Sequence, residues 1–274
     1  FMASRIIAPL LTLMIFLFTW SQLSAHERLH SKIKKARKSF SFIKVKITIK
    51  PLDCHYMEKK NGKSTKKKCD ISKLSPKSLN TFGSGIVVKH VINSTYILTA
   101  AHVCAHKDID EKMLGHKKIT VSLTPEISVK DVQGNEYPAQ IYAIDAKNDL
   151  CILKSEGVFG AAAPIASKMP PTPSKVYAYQ APLAINHPNM VLLYSGFTGG
   201  SHYEYLLERT TYFYTLVARP GSSGSGILNE GGQIVGIIHT AITNLQNVSI
   251  AASLESIQKI TDSIPNVVYK RVYQ

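Results

Sequence analysis

The chain of 274 residues is 45% apolar and carries a formal charge of +15, enough apolar material for one large core or two small ones. It has no heptad pattern, no internal repeat and little helical periodicity, which excludes coiled coils and solenoids; short runs rich in Val, Ile, Tyr and Thr between Gly, Pro, Asn and Asp clusters predict a mostly β protein. The charge is lopsided: residues 26–80 hold 17 Lys and Arg against four acids, and residues from 81 onward hold 15 against 14.

In chain order, the first 25 residues read as a signal peptide or membrane anchor. Arg5 is their one charge, an uncharged apolar stretch runs from Ile6 to Trp20, and small residues precede a cleavage point after Ala25. Residues 26–39 read as a basic linker. The basic region 26–80 predicts either contact with an anionic surface or a solvated arm, and since no aromatic interleaving in it suggests base stacking it predicts no specific nucleic-acid partner. "FIKVKITIK" alternates, with Ile43, Val45, Ile47 and Ile49 on one face, as a half-buried strand does. Next comes "CHYMEKKNGKSTKKKC". A turn at Asn61-Gly62 would fold it back and bring Cys54 to Cys69, which predicts a disulfide; the spacing fits no zinc pattern.

"FGSGIVVKH" and "STYILTAAHVC" follow as strands, the second running into a short helical turn. "KKITVSLTP", "EYPAQIYAI" and "NDLCILK" are further strands, and "MPPTPSK" opens the second half. Then come "KVYAYQA", "NMVLLYSG", "YFYTLVA", "GILN", "QIVGIIHTA" and "VSIAAS". "LESIQKITDSI" spaces Leu254, Ile257, Ile260 and Ile264 along one face of a helix that Pro265 stops.

Three segments carry chemistry. His102 lies just past a strand in "ILTAAHVC", Asp149 opens the buried "NDLCILK", and "RPGSSGSGILN" packs Ser residues between Gly. A nucleophilic serine needs a base to take its proton and a carboxylate to hold that base. The three types stand in the order His, Asp, Ser. With "GSGIVV" and "RPGSSGSGILNEGGQIVGII", the chain resembles a trypsin-like serine protease of the chymotrypsin fold, nearest in style to the bacterial HtrA-type and glutamyl-endopeptidase-type branches.

That resemblance implies two six-stranded antiparallel β-barrels and a C-terminal helix. The protease domain would span 40–264, with the passage between barrels near 160–175 and a tail at 265–274. It implies His102 as general base, Asp149 as its partner and Ser223 as nucleophile, with Gly221 and Ser223 N–H groups as the oxyanion hole. Asp145 is a rival carboxylate four residues before Asp149. No cofactor or metal is implied, and the partners are protein or peptide substrates. Departures are Ser222, where digestive relatives carry Asp, Ser225 in place of a common Gly and Gly226 in place of a common Pro. Cys104 and Cys151 each follow a catalytic position by two residues, so they are either a second pair or two buried free thiols.

The substrate pocket implied by the resemblance is walled by "TLVARPG", "IIHTAI" and "SIAAS", with Val217, His239, Ala241 and Ala252 as lining. No acid occurs in these walls, which predicts cleavage after small or medium apolar residues. A Glu/Gln-specific endopeptidase reading through His239, or an inactive binding module on the same fold, are the alternatives. The expected location is secreted or periplasmic, or held at a membrane by the N-terminal segment. Four cysteines favour export, and the basic flank after the apolar run opposes it.

Overall fold

A computed structural model of the chain describes residues 27–60, 63–104, 109–114, 117–242 and 245–266. The apolar N-terminal segment and the Asn61-Gly62 turn lie outside these described residues. Where a basic linker was expected, residues 27–36 form a helix, α1. Its apolar stripe is short: Leu29, Ile33 and Ala36 fall at i, i+4 and i+7 and pack against the core, and the Ile33 carbonyl accepts a hydrogen bond from Tyr179 Oη at 2.9 Å. Lysines around the stripe mask it in the sequence but are themselves good helix formers.

The first half of the chain continues with β1 (Phe40–Lys60), β2 (Lys63–Lys68), β3 (Lys77–Val91), β4 (Ser94–Ala100), the one-turn helix α2 (Ala101–Cys104), β5 (Ile109–Leu114), β6 (Lys117–Lys130), β7 (Glu136–Asp145) and β8 (Leu150–Glu156). The second half holds β9 (Lys175–Gln180), β10 (Leu192–Glu204), β11 (Arg209–Tyr214), β12 (Gly226–Asn229), β13 (Ile234–Ile242), β14 (Leu245–Ala252) and helix α3 (Leu254–Thr261).

Six strands in the order β1-β3-β4-β8-β7-β6 form the first barrel, closed by antiparallel pairing of β1 with β6. The second is closed in the order β10-β11-β14-β13-β12-β9. The architecture is therefore the two-barrel, chymotrypsin-like one. The alternation seen in "FIKVKITIK" explains the first barrel's interior: Ile43, Val45 and Ile47 pack there with Val87, Ile97 and Leu153. The second interior is filled by Val176, Ala178, Tyr214, Ile227, Val235 and Ile238. A third cluster joins the barrels, with Phe40, Leu98 and Ile152 on one side and Tyr177, Leu228 and Ile237 on the other; Ile257 and Ile260 of α3 and Ile33 of α1 cap it. Ser253 caps α3 by accepting from Ser256 N at 3.1 Å.

Beyond Ile49, β1 leaves β3 and runs on with β6 after a bulge between Pro51 and Asp53, then returns as β2; β5 flanks β6. The result is an arm of strands extending from the first barrel. Cys54 and Cys69 are disulfide-bonded with Cα atoms 5.2 Å apart, and Cys54, Ile119 and Val121 form a small core beneath them. The hairpin disulfide expected from the sequence is thus present. β5 had no clear sequence signal, because its "IDEKML" alternates no apolar face.

Candidate active site

All seven residues of β4 are buried, and the chain turns at its end into α2, which delivers His102 with a half-exposed side chain. β8 pairs with β4 along its whole length, so Asp149, just ahead of β8, arrives beside that turn. Asp149 sits at φ 51°, a left-handed conformation rare for a residue with a Cβ. Both carboxylate oxygens are engaged: Oδ1 accepts from the His102 backbone N at 2.9 Å and Oδ2 is 2.8 Å from His102 Nδ1. The Asp149 carbonyl also accepts from Ala101 N at 3.0 Å. This pairing makes Nδ1 the protonated nitrogen and leaves Nε2 free to accept. Burial pushes the Asp149 carboxyl up, but the hydrogen bond from His102 and the nearby His239 and His102 rings outweigh it, and the group lies below the ordinary carboxylate value.

Asp145 does something else. Its oxygens accept from Asn148 N at 3.1 Å and Asn148 Nδ2 at 2.7 Å, which holds the turn that presents Asp149. Cys104 and Cys151 are disulfide-bonded, with Cα atoms 6.6 Å apart. Of the two possibilities left open for these thiols, the bonded one is observed, and it ties the His102 turn to the Asp149 strand.

The loop from 219 to 226 is folded by its own bonds. Ser222 N donates to Arg219 O, Ser225 N to Ser222 O and Gly224 N to Ile238 O. Ser222 and Ser225 are fully buried, whereas Ser223 is half-buried, so one hydroxyl of the three reaches solvent. Gly221 (φ 95°) and Gly224 (φ 87°) make the bend, and a Cβ on Gly221 would meet the Ala181 carbonyl at 2.5 Å. Neither Gly221 N nor Ser223 N donates to an acceptor among the described residues. Ser223 Oγ donates to the His239 carbonyl at 3.0 Å, and among the described residues no hydrogen bond joins it to His102.

Ser84 was not singled out in the sequence, although "GSG" between apolar runs contains it. It comes from β3 of the first barrel and is fully buried against the loop of the second. Its N donates to Ser223 O at 2.8 Å, its Oγ donates to Gly221 O at 2.8 Å, and Oγ accepts from Ala181 N at 3.2 Å. The flanking Gly83 is explained by the same packing, since a Cβ there would meet Val103 at 2.6 Å.

Of the pocket residues, Val217 is half-buried, and its carbonyl accepts from Gln180 Nε2 at 3.0 Å. Ala241 is half-buried against the interior of the second barrel, while Ala252 is packed in the inter-barrel core with Ile257 and Ile260. His239 is 5% exposed and its Nε2 is buried without a hydrogen-bond partner among the described residues. Burial pushes its pKa down to about 4, against the opposing pull of Asp149, so the ring is neutral near pH 7. Among the described residues, no group of three or more His, Cys, Asp or Glu could hold a metal, and no helix is long and apolar enough to cross a membrane.

The chain is similar to known proteins in family and fold. A family model described as "Trypsin-like peptidase domain" matches residues 83–237. Proteins named "Serine protease HtrA-like" from Staphylococcus aureus strains USA300 and COL are each 25% identical over 195 residues, covering 68% of this chain and 24% of the relative. The chain therefore spans about a quarter of the length of these relatives. A solved HtrA-type protease with a decapeptide superposes with a TM-score of 0.61 at 14% identity, covering 86% of this chain and 66% of the other, and so shares the fold.

Proposed function

The chain belongs to the trypsin-like peptidase family, and from that premise we propose that it is a serine endopeptidase acting through an acyl-enzyme on Ser223. The observation that carries the reading is the His102–Asp149 pair, bonded at 2.8 Å on a turn whose Val103 borders Gly83, as does the backbone of Ser223, the one solvent-reaching serine of its loop. In the proposed reaction the Ser223 hydroxyl swings from the His239 carbonyl to His102 Nε2 as it attacks the scissile carbonyl carbon. Nε2 takes the proton, and Asp149 stabilises the resulting imidazolium through Nδ1–H. The substrate oxygen, now negative, is held by the free N–H groups of Gly221 and Ser223. His102 then gives its proton to the leaving amine, and water repeats the sequence in reverse to release the acid. An apo hydroxyl bonded elsewhere is compatible with this, because such contacts tighten when substrate binds.

The substrates are proteins or peptides, cut after small or medium apolar residues. The lack of Asp or Glu in the segments TLVARPG, IIHTAI and SIAAS supports this, because they offer no carboxylate to pair an Arg or Lys side chain. The neutral His239, coupled to Asp149, also supports it over a reader of Glu. Two disulfides support export to an oxidising compartment, secreted or periplasmic, with or without retention of the N-terminal segment. A mixed peptide library digested by the wild type and by Ser223→Ala tests the whole reading. The expected result is cleavage after Ala, Val, Leu or Met, lost by about 10⁴-fold or more in the variant. Dominant cleavage after Arg or Lys would overturn the pocket reading, and cleavage after Glu would hand that role to His239. An active Ser223→Ala would overturn the mechanism.

A further inference from the structure

The charge excess of residues 26–80 has no role in peptide hydrolysis, and much of it stands on the arm. β2 is an edge strand of six residues, KSTKKK, and every one is exposed. Its register places Lys66 opposite Met57 and Lys68 opposite His55 on one face of the hairpin, and Lys67 opposite Tyr56 on the other. Lys67 is paired with Glu58, and beyond the turn that follows β2, Lys73 is paired with Asp70. Lys63, Lys66 and Lys68 have no ion-pair partner among the described residues, nor do Lys50 and Lys77 at the arm's root. Asp53, at the base of the Lys66–Lys68 face, accepts from Cys54 N at 2.8 Å and lies 3.4 Å from His55 Nδ1.

An edge strand is protected from unwanted pairing by a single well-placed lysine. Four in six residues exceed that need. A disulfide closes the arm's root, a small apolar core lies under it, and β6 backs β1 as far as Tyr56.

We propose that this arm docks the protein on an anionic phospholipid surface. Three features select that partner over a nucleic acid. Every basic residue of β1 and β2 is Lys, a compact point charge without the planar fork that reads individual phosphates or bases. No aromatic residue in β2 offers a platform for bases. Exposed apolar side chains stand among the lysines, with Met57 58% exposed and Leu52 48% exposed, suited to the boundary between headgroups and acyl chains.

The test is co-sedimentation of the full chain with vesicles of phosphatidylcholine, with and without phosphatidylglycerol. It compares the wild type with K63Q/K66Q/K67Q/K68Q and with a control, K168Q/K175Q/K259Q, that removes exposed lysines elsewhere. Each lysine near an anionic surface contributes about fivefold in affinity, so the arm variant should bind phosphatidylglycerol vesicles several hundredfold more weakly, roughly. The control should bind like the wild type. All three proteins should bind pure phosphatidylcholine equally, which isolates the arm from the N-terminal segment. Salt at about 1 M, where the screening length is about 3 Å, should erase the wild-type preference. Equal binding of wild type and arm variant to phosphatidylglycerol vesicles would overturn the proposal. So would an equal loss in the control, or tighter arm-dependent binding to duplex DNA than to vesicles.

Discussion

Replacing Ser84 by Ala removes one oxygen and leaves two backbone groups without partners. Ala181 N loses its acceptor at 3.2 Å and Gly221 O loses its donor at 2.8 Å, whereas the Ser84 N to Ser223 O bond remains. Ala181 is 1% exposed, so water does not easily replace the lost acceptor, and stability should fall by about 1–3 kcal/mol. The catalytic effect should be separate. Ser84 tethers the Gly221 carbonyl, one peptide beyond the Gly221 N–H that is one of the two donors proposed to hold the oxyanion, so losing the tether loosens the backbone beside that donor. Full loss of one such donor costs about 10²–10³ in kcat. The internal bonds of the loop persist in the variant, so the expected loss is smaller, about 10- to 100-fold in kcat with KM nearly unchanged. The assay pairs steady-state kinetics on a peptide substrate with inhibition by a peptidyl boronate, which mimics the tetrahedral species. The boronate should weaken by the same factor as kcat/KM, and a product peptide should not. If Ser84→Ala lowers stability alone, with kcat and boronate affinity intact, Ser84 only packs the barrels together and the reasoning fails.

Two further outcomes follow from the same region. His239 has a pKa pushed down to about 4, so the unfolded chain binds its proton more readily between about pH 6.5 and 4; stability from this group is full above pH 6.5 and falls by roughly 3 kcal/mol as pH drops to 4. Urea unfolding at pH 7, 5.5 and 4.5 should show a shallower acid loss in His239→Gln, and parallel curves for the two proteins would refute the assignment. The Cys104–Cys151 bond closes a loop of 47 residues, and replacing both by Ala should cost about 4 kcal/mol and lower activity before global unfolding, read by comparing urea midpoints from activity and from fluorescence. Coincident midpoints in the variant would show that the bond does not brace the His102–Asp149 pair.

Much of the fold was legible because its signals are local. Alternation in residues 43–49 and the β-branched and aromatic residues of β4, STYILTA, specify strands by period and composition alone. The helix α1 escaped because its stripe of Leu29, Ile33 and Ala36 is three residues wide among lysines, and only the inter-barrel core gives it a reason to fold. The length of the arm was hidden for a similar reason. The pairing of β1 with β6 joins residues far apart in sequence, and β5 has no apolar face of its own. In the site, types and order pointed to His102, Asp149 and Ser223. The choice among three serines rests in the structure on burial, which a Gly-Ser loop does not encode by itself. Ser84 was beyond local reading altogether, since its partners lie 97 and 137 residues away.

That distance explains how two separately closed barrels can make one site. The first barrel assembles the His102–Asp149 pair by itself, through β4–β8 pairing, two carboxylate bonds and a disulfide. The second folds the serine loop by bonds within residues 219–225 and to Ile238. Neither half fixes the other's position. The inter-barrel apolar cluster holds them together, but non-directional packing sets separation better than it sets angle. Ser84 supplies direction at the serine loop itself, because three hydrogen bonds from one residue of β3 reach Gly221, Ser223 and Ala181 at once. A first-barrel strand thereby aligns the loop that holds Ser223, while His239 of the second barrel is near enough to Asp149 of the first for the two to interact electrostatically. Alignment of the proposed nucleophile with its base is therefore set by a small number of crossing contacts, and changes at Ser84 or His239 should act on chemistry out of proportion to the surface they bury.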